Sequence, residues 1–237
     1  MTAPSKRRFR DGVRVGEGDV GYVFDWSAVW RPELWGWAIL TTLAYAIATI
    51  LAGLVIGLFG GLAMLSPFRP LRWLVSGYVQ LFRCTPLLVQ IVWFFYALPI
   101  MTGIQITAWL AAGVGLSLYM GAFATEIFRA GVMSIDRGQW QASKSIGMNY
   151  AQMMRYIILP QAFRRMIPPV VSQSILQLKN TSLLYVVAVP DMMYAASQIT
   201  ATTYRPLEAY TFVAFLYLII LYPLTVFSKR LESRNDA

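Results

Sequence analysis

The chain has no histidine, one cysteine (Cys84) and only 13% charged residues among its 237. Each shortage excludes a class of chemistry. Without histidine no Ser-His-Asp triad exists. A lone thiolate cannot hold a metal, which disfavours zinc and haem. A single cysteine also rules out a disulfide scaffold. The sequence contains no GxxxxGK[ST] loop, no GxGxxG and no GxSxG elbow. The chain therefore does not read as an enzyme, and it has no P-loop with which to hydrolyse ATP. Its charge is about half of the roughly 25% that covers a soluble domain.

Hydrophobic residues supply 57% of the chain and aromatics 14%, with a mean hydropathy of +0.55. A bilayer is the natural solvent for that composition, and whole-chain disorder is excluded. The net charge of +9 would suggest nucleic acid in a soluble protein. Here the cations flank apolar spans, the pattern of cytoplasmic loops, so no nucleic-acid partner is expected. From Leu34 to Phe68 no residue is charged. That run is too long for a signal-peptide core and is expected to stay as a membrane helix.

Crossing about 30 Å of hydrocarbon takes roughly 20 helical residues. On that basis the sequence predicts an all-α membrane protein with five spans, at residues 35–64, 73–98, 106–128, 166–189 and 209–227. Pro86 and Arg83 fall inside the second span, and Pro99 is expected to end it. Cations crowd the loops after spans one, three and five; the connection between four and five holds only Arg205, and that between two and three holds none. The N-terminal tail carries Lys6, Arg7, Arg8, Arg10 and Arg14, but too far from the first span to decide topology. These counts place the N-terminus outside and the C-terminus inside. Residues 1–33 then form an extracytoplasmic tail whose Trp26 and Trp30 begin an interfacial aromatic anchor with Trp35 and Trp37. Residues 34–228 form the membrane domain, and 229–237 a cytoplasmic tail.

Small residues recur at spacing four in span one (Ala44, Ala48, Ala52; Gly53, Gly57, Gly61) and in span three (Gly113, Ser117, Gly121, Thr125). They predict close helix contact, within this subunit or with a second one. Three charges lie at membrane depth. Arg83 sits about ten residues, roughly 15 Å, into span two, and Lys179 near the middle of span four. Glu126 lies near the cytoplasmic end of span three, where it can snorkel. A charge at the bilayer centre costs about 2.5–3.5 kcal/mol on insertion scales, so it faces a bundle interior or a water-filled path. Either an internal ion pair or a solute contact would satisfy that rule. Gln173, Gln177, Asn180 and Thr181 share one face of span four and extend the polar lining beside Lys179.

The polar stretch between spans three and four (about 137–160) carries the most information. Residues 141–145 favour a helix, Gly147 breaks it, and a second short helix fits residues 150–158, with Pro160 expected to end it. A helix-turn-helix of this kind either lies on lipid or plugs a partner's groove.

This loop resembles the EAA loop of ABC importer membrane subunits. Gln141-Ala142-Ser143 is followed by Gly147, Ile157, Leu159 and Pro160 at the family spacing, with Gln141 replacing the acid and Ser143 the second alanine. Phe82-Arg83-Cys84-Thr85-Pro86-Leu87-Leu88-Val89-Gln90 resembles the FRGTPLLVQ element of the polar amino acid branch, with cysteine in place of glycine. Glu126-Ile127-Phe128-Arg129-Ala130-Gly131 is similar to its EIFRAG element, and Lys179-Asn180-Thr181-Ser182-Leu183 to its K-D/N-T-S-L element.

The resemblance implies a polar amino acid ABC transporter permease subunit of the histidine, glutamine or glutamate type. It implies a second permease subunit (identical or paralogous), two cytoplasmic ATPase subunits that hold ATP and magnesium, an extracytoplasmic solute-binding protein, and a bacterial inner-membrane location. This chain itself would hold no cofactor. Gln141, Ala142, Ser143, Gly147, Ile157, Leu159 and Pro160 would couple to the ATPase. Lys179, Arg83, Glu126, Gln177, Asn180 and Thr181 would line the substrate path, and two deep cations lean toward an acidic amino acid such as glutamate or aspartate. The competing reading is a stand-alone secondary carrier or channel; five spans without an inverted repeat make a poor carrier.

Overall fold

The computed structural model describes residues 24–235, so the basic cluster at residues 6–14 and the last two residues lie outside the described part. Among the described residues the chain is helical and forms no strand. Three helices are long and apolar enough to cross a membrane: α1 (Pro32–Leu65), α5 (Ala108–Met133) and α10 (Pro206–Asn235, of which residues 206–231 qualify). Pro32 opens α1 at a position where its missing N–H costs nothing, and Glu33 lies in the same first turn.

The expected second span is two helices. α2 (Arg69–Cys84) and the segment from α3 (Leu87–Val92) through α4 (Leu98–Thr102) meet at an angle of 106°. Pro86 forces the break: it biases Thr85 to extended backbone (φ −106°, ψ 140°) and removes a donor. Gln90 closes the wound. Its Nε2, with two hydrogens to share, lies within hydrogen-bond reach of Phe82 O at 2.9 Å, Thr85 O at 3.1 Å and Thr85 Oγ1 at 2.7 Å, carbonyl groups that α2 leaves orphaned among them.

Pro99 and Pro160 do not end their helices as expected. Each follows a five-residue π turn, Trp93–Ala97 before α4 and Met154–Ile158 before α8 (Leu159–Asn180). The amides of Leu98 and Leu159 reach back five residues, to Trp93 O and Met154 O. The widened turn shifts the hydrogen-bond register just where proline has no N–H to give. Helix therefore runs on to Thr102, where Gly103 stops it at φ +73°, and from Tyr150 to Asn180.

The fourth span also differs from expectation. α8 begins at Leu159, carries Pro168 and Pro169 inside it, and gives way at Thr181 to a 3-10 turn (Thr181–Val187). Ala188 then takes the left-handed conformation (φ 58°) and α9 (Met192–Thr203) follows, N-capped by Asp191.

The centre of the bundle is the α1–α5 pair. A Cβ on Gly57 would fall onto the α5 backbone, 2.9 Å from Ala124 C and 3.0 Å from Thr125 N. Gly53 and Gly61 press against Met120 and Phe128. The glycine stripe thus packs within the subunit. The alanine stripe does not: Ala44, Ala48 and Ala52 line an open apolar groove with Gly113 and Ser117. Gln177 of α8 enters the same junction fully buried, its Nε2 donating to Leu116 O (2.9 Å) and Thr49 Oγ1 (3.2 Å).

Candidate functional site

Two regions hold the residues singled out from the sequence. The first is the loop after α5. Asp136 caps α6 (Arg137–Ser145) by accepting from Gly138 N at 2.6 Å. At its far end Gly147 N donates to Lys144 O (3.0 Å) and Met148 N to Ser143 O (3.2 Å), the paired bonds of a Schellman motif. Gly147 sits at φ +80° with nothing within 4 Å of where a Cβ would be. Its requirement is conformational, not spatial. Asn149 and Gln152 then form a reciprocal capping box at 2.9 and 3.0 Å, opening α7 (Tyr150–Met153).

This elbow stands on an apolar base. Val132, Ile135, Met153, Ile158, Ala162 and Met166 are buried together, and Trp140 and Ile157 pack against them. Arg165 donates to Ser134 O, tying α8 to the end of α5. Of the expected coupling residues, Gln141, Ala142, Gly147, Leu159 and Pro160 are exposed, Ile157 is half-buried, and Ser143 turns inward with its hydroxyl on Gln139 O at 2.6 Å. The sequence reading missed Ile146. It is 75% exposed at the tip of the elbow, and an apolar residue set between Ser145 and Gly147 in a polar loop was the available signal.

The second region lies deeper. Arg83 lies in the last turn of α2, placing its cation at the negative pole of that helix. Its guanidinium lies over Phe123 at 5.2 Å, and Phe123 packs on Tyr119 at 4.8 Å. Tyr119 faces the Asn180 side chain. Phe123 and Tyr119 were not evident from the sequence, since an aromatic residue in an apolar helix carries no marker. Buried amide nitrogens of Gln173 and Asn180 and the buried Gln177 Oε1 have no partner. Lys179 opens elsewhere, into a cavity of about 520 Å³ lined by Ser182, Met193, Tyr210 and Tyr217. The structure therefore joins Arg83 to Asn180 through two rings and leaves Lys179 in a separate cavity. Thr181 is buried and donates to Leu178 O at 2.7 Å. Glu126 pairs with Arg129 at 2.9 Å, an i,i+3 bridge near the end of α5.

The elbow runs on from α7 through one π turn into α8, which is rich in amides. The model of the family described as binding-protein-dependent transport system inner membrane component matches residues 53–236. The chain belongs to that family. As such a membrane component it is 37% identical over 195 residues to a probable glutamine ABC transporter permease protein of Bacillus subtilis, covering 82% of this chain and 90% of that protein. It is also 37% identical to an L-cystine transport system permease protein of the same species, over 92% and 94% of the two chains. A crystal structure of an amino acid ABC transporter with histidines matches with a TM-score of 0.85 and 30% identity, over 90% of this chain and 99% of that one. Equal identity to permease proteins named for glutamine and for L-cystine leaves the substrate of this family member unspecified.

Proposed function

We propose that the chain is the membrane-spanning permease subunit of an ATP-driven ABC importer for polar amino acids in a bacterial inner membrane, with its N-terminus outside and its C-terminus in the cytoplasm. It would pair with a second permease subunit, identical or paralogous, and work with two ATPase subunits and a solute-binding protein. Nucleotide and magnesium belong to the ATPase; this chain supplies the path and the lever. The observation that carries the reading is mechanical. The elbow is locked by a Schellman motif and a capping box, and it continues through one π turn into α8, which bears Lys179 and Asn180. A push on the elbow therefore moves the deep polar residues as one body. ATP would provide the differential stabilisation of the two access states.

The geometry supports a substrate that carries both charges, met by a cation and by unpartnered amides. Arg83 and Lys179 occupy different surroundings, so an acidic amino acid such as glutamate or aspartate would meet the two cations separately. The test is uptake by the reconstituted complex. Ile146→Asp should weaken ATPase association about tenfold or more, as loss of an apolar anchor does, with membrane insertion intact. Lys179→Ala should lower uptake and leave assembly unchanged. Undiminished uptake with no ATPase attached would instead favour the stand-alone carrier.

A further inference from the structure

On the side of the bundle where α1 ends and α2 begins, a cavity of about 580 Å³ gathers Arg69, Arg72, Trp73 and Ser76 from α2 with Glu126 and Arg129 from α5. Its charge is unbalanced. Glu126 is the sole acid lining it, and Arg129 already holds that carboxylate at 2.9 Å. Among the described residues neither Arg69 nor Arg72 has an ion-pair partner, and the buried Nε of Arg129 has no acceptor.

The two free arginines are also placed against the helix field. Both lie in the first turn of α2, which has no acidic residue and no side-chain cap. A helix N-terminus favours anions and disfavours cations. The arrangement is therefore self-repelling until an anion enters it. Around this polar pit the surface is made for lipid: Trp73 is 84% exposed, Leu74 71% and Phe68 62%. An aromatic ring beside cations at a span end is the composition of a membrane–water interface.

We propose that this cavity binds the phosphate of an anionic phospholipid headgroup at the cytoplasmic leaflet, with Arg69, Arg72 and Arg129 as donors and Trp73 against the glycerol and upper acyl region. The placement at that leaflet rests on the orientation given under the proposed function; the binding itself does not depend on transport. A basic pocket between spans on the cytoplasmic side is the physical requirement for such recognition, and arginine's fork suits a phosphate better than lysine's point charge.

The experiment uses the intact transporter complex in nanodiscs of phosphatidylcholine with added phosphatidylglycerol. Lipid retained by the released complex is read by native mass spectrometry. Wild type should keep phosphatidylglycerol in preference to phosphatidylcholine. Arg69→Gln/Arg72→Gln should cut that retention about thirtyfold, Arg69→Lys/Arg72→Lys should restore part of it, and Lys229→Gln, a cation outside the cavity, should leave it unchanged. Equal retention in the double glutamine variant overturns the proposal, as does equal loss in Lys229→Gln, which would mean diffuse charge attraction. Loss of ATPase subunits from the double variant without loss of lipid would assign the arginines to a protein contact instead. Displacement of the lipid by millimolar inorganic phosphate would assign the cavity to the free ion. Failure of uptake with retention intact would count against the transport reading and leave this one standing.

Discussion

At the residue scale the most demanding position is Gly147. Its φ of +80° lies in the region where a Cβ meets the following carbonyl. No atom lies within 4 Å of that Cβ, so the cost of substitution is in the backbone alone. Gly147→Ala should therefore destabilise the elbow by about 1–2 kcal/mol without disturbing the apolar base beneath it. Hydrogen exchange of the Met148 amide, bonded to Ser143 O at 3.2 Å, should accelerate about tenfold, while Ile158 stays protected. Unchanged exchange at Met148 would show that the Schellman bonds do not hold the turn. The helix-turn-helix was legible because Gly147 acts locally; Asp136 and the Asn149–Gln152 pair act as locally but were not singled out from the sequence. The role of Gln177 was not legible. Its amide sits on one face with Asn180 and Thr181 and reads as path lining, yet its partners Thr49 and Leu116 lie 128 and 61 residues away. No helical period carries that information.

At the element scale the chain uses proline in two ways that look alike in sequence. Pro86 breaks a helix, and Gln90 repairs the carbonyls at the break. Pro99 and Pro160 each follow a leucine and a π turn, and helix continues past them. The difference lies in whether one surplus residue precedes the proline to absorb the lost hydrogen bond, and neither hydropathy nor motif spacing counts that residue. The π turn at Met154–Ile158 also sets the angle between elbow and α8. Deleting one residue of it, for example Tyr156, removes the slack that Pro160 needs and should kink or break the helix between α7 and α8. Membrane insertion should persist, since α1, α5 and α10 are untouched. Uptake should fall to background while the isolated ATPase remains active. Full transport by the deletion variant would show that the elbow's direction is immaterial.

At the scale of the whole molecule, one contact ties the segment before α1 to α9 and the start of α10. Within the segment before α1, residues 24–31 fold back on α9 and the start of α10. Val29 and Trp35 are buried with Met192, Ala195, Ile199 and Val213, and Trp35 Nε1 donates to Val29 O at 2.8 Å. The clasp is polar. The buried Glu208 Oε1 accepts from Asp25 N and from Arg205 Nη1, both at 3.0 Å, and Arg205 Nε lies 3.9 Å from Asp25 Oδ2. Hydrogen bonds from Ser27, first its hydroxyl and then its backbone N–H, hold the Asp25 carboxyl below the usual carboxylate range, with Arg205 adding to them. A lowered folded value means that Asp25's contribution is complete above the unfolded value near about 4 and fades as pH falls through the lower folded one. Protection of the amides at residues 26–30, measured relative to the intrinsic exchange rate at each pH, should therefore be high at neutral pH and fall in acid. Asp25→Asn should show the lower protection at neutral pH already, and that protection should lose its acid dependence. Glu208→Ala, which strips two donors of their acceptor, should release the segment at every pH at a cost of about 1–3 kcal/mol. If Asp25→Asn and the native chain exchange alike across that range, the hydrophobic packing of Val29 and Trp35 holds the segment alone, and the carboxyl is a cap with no part in the closure.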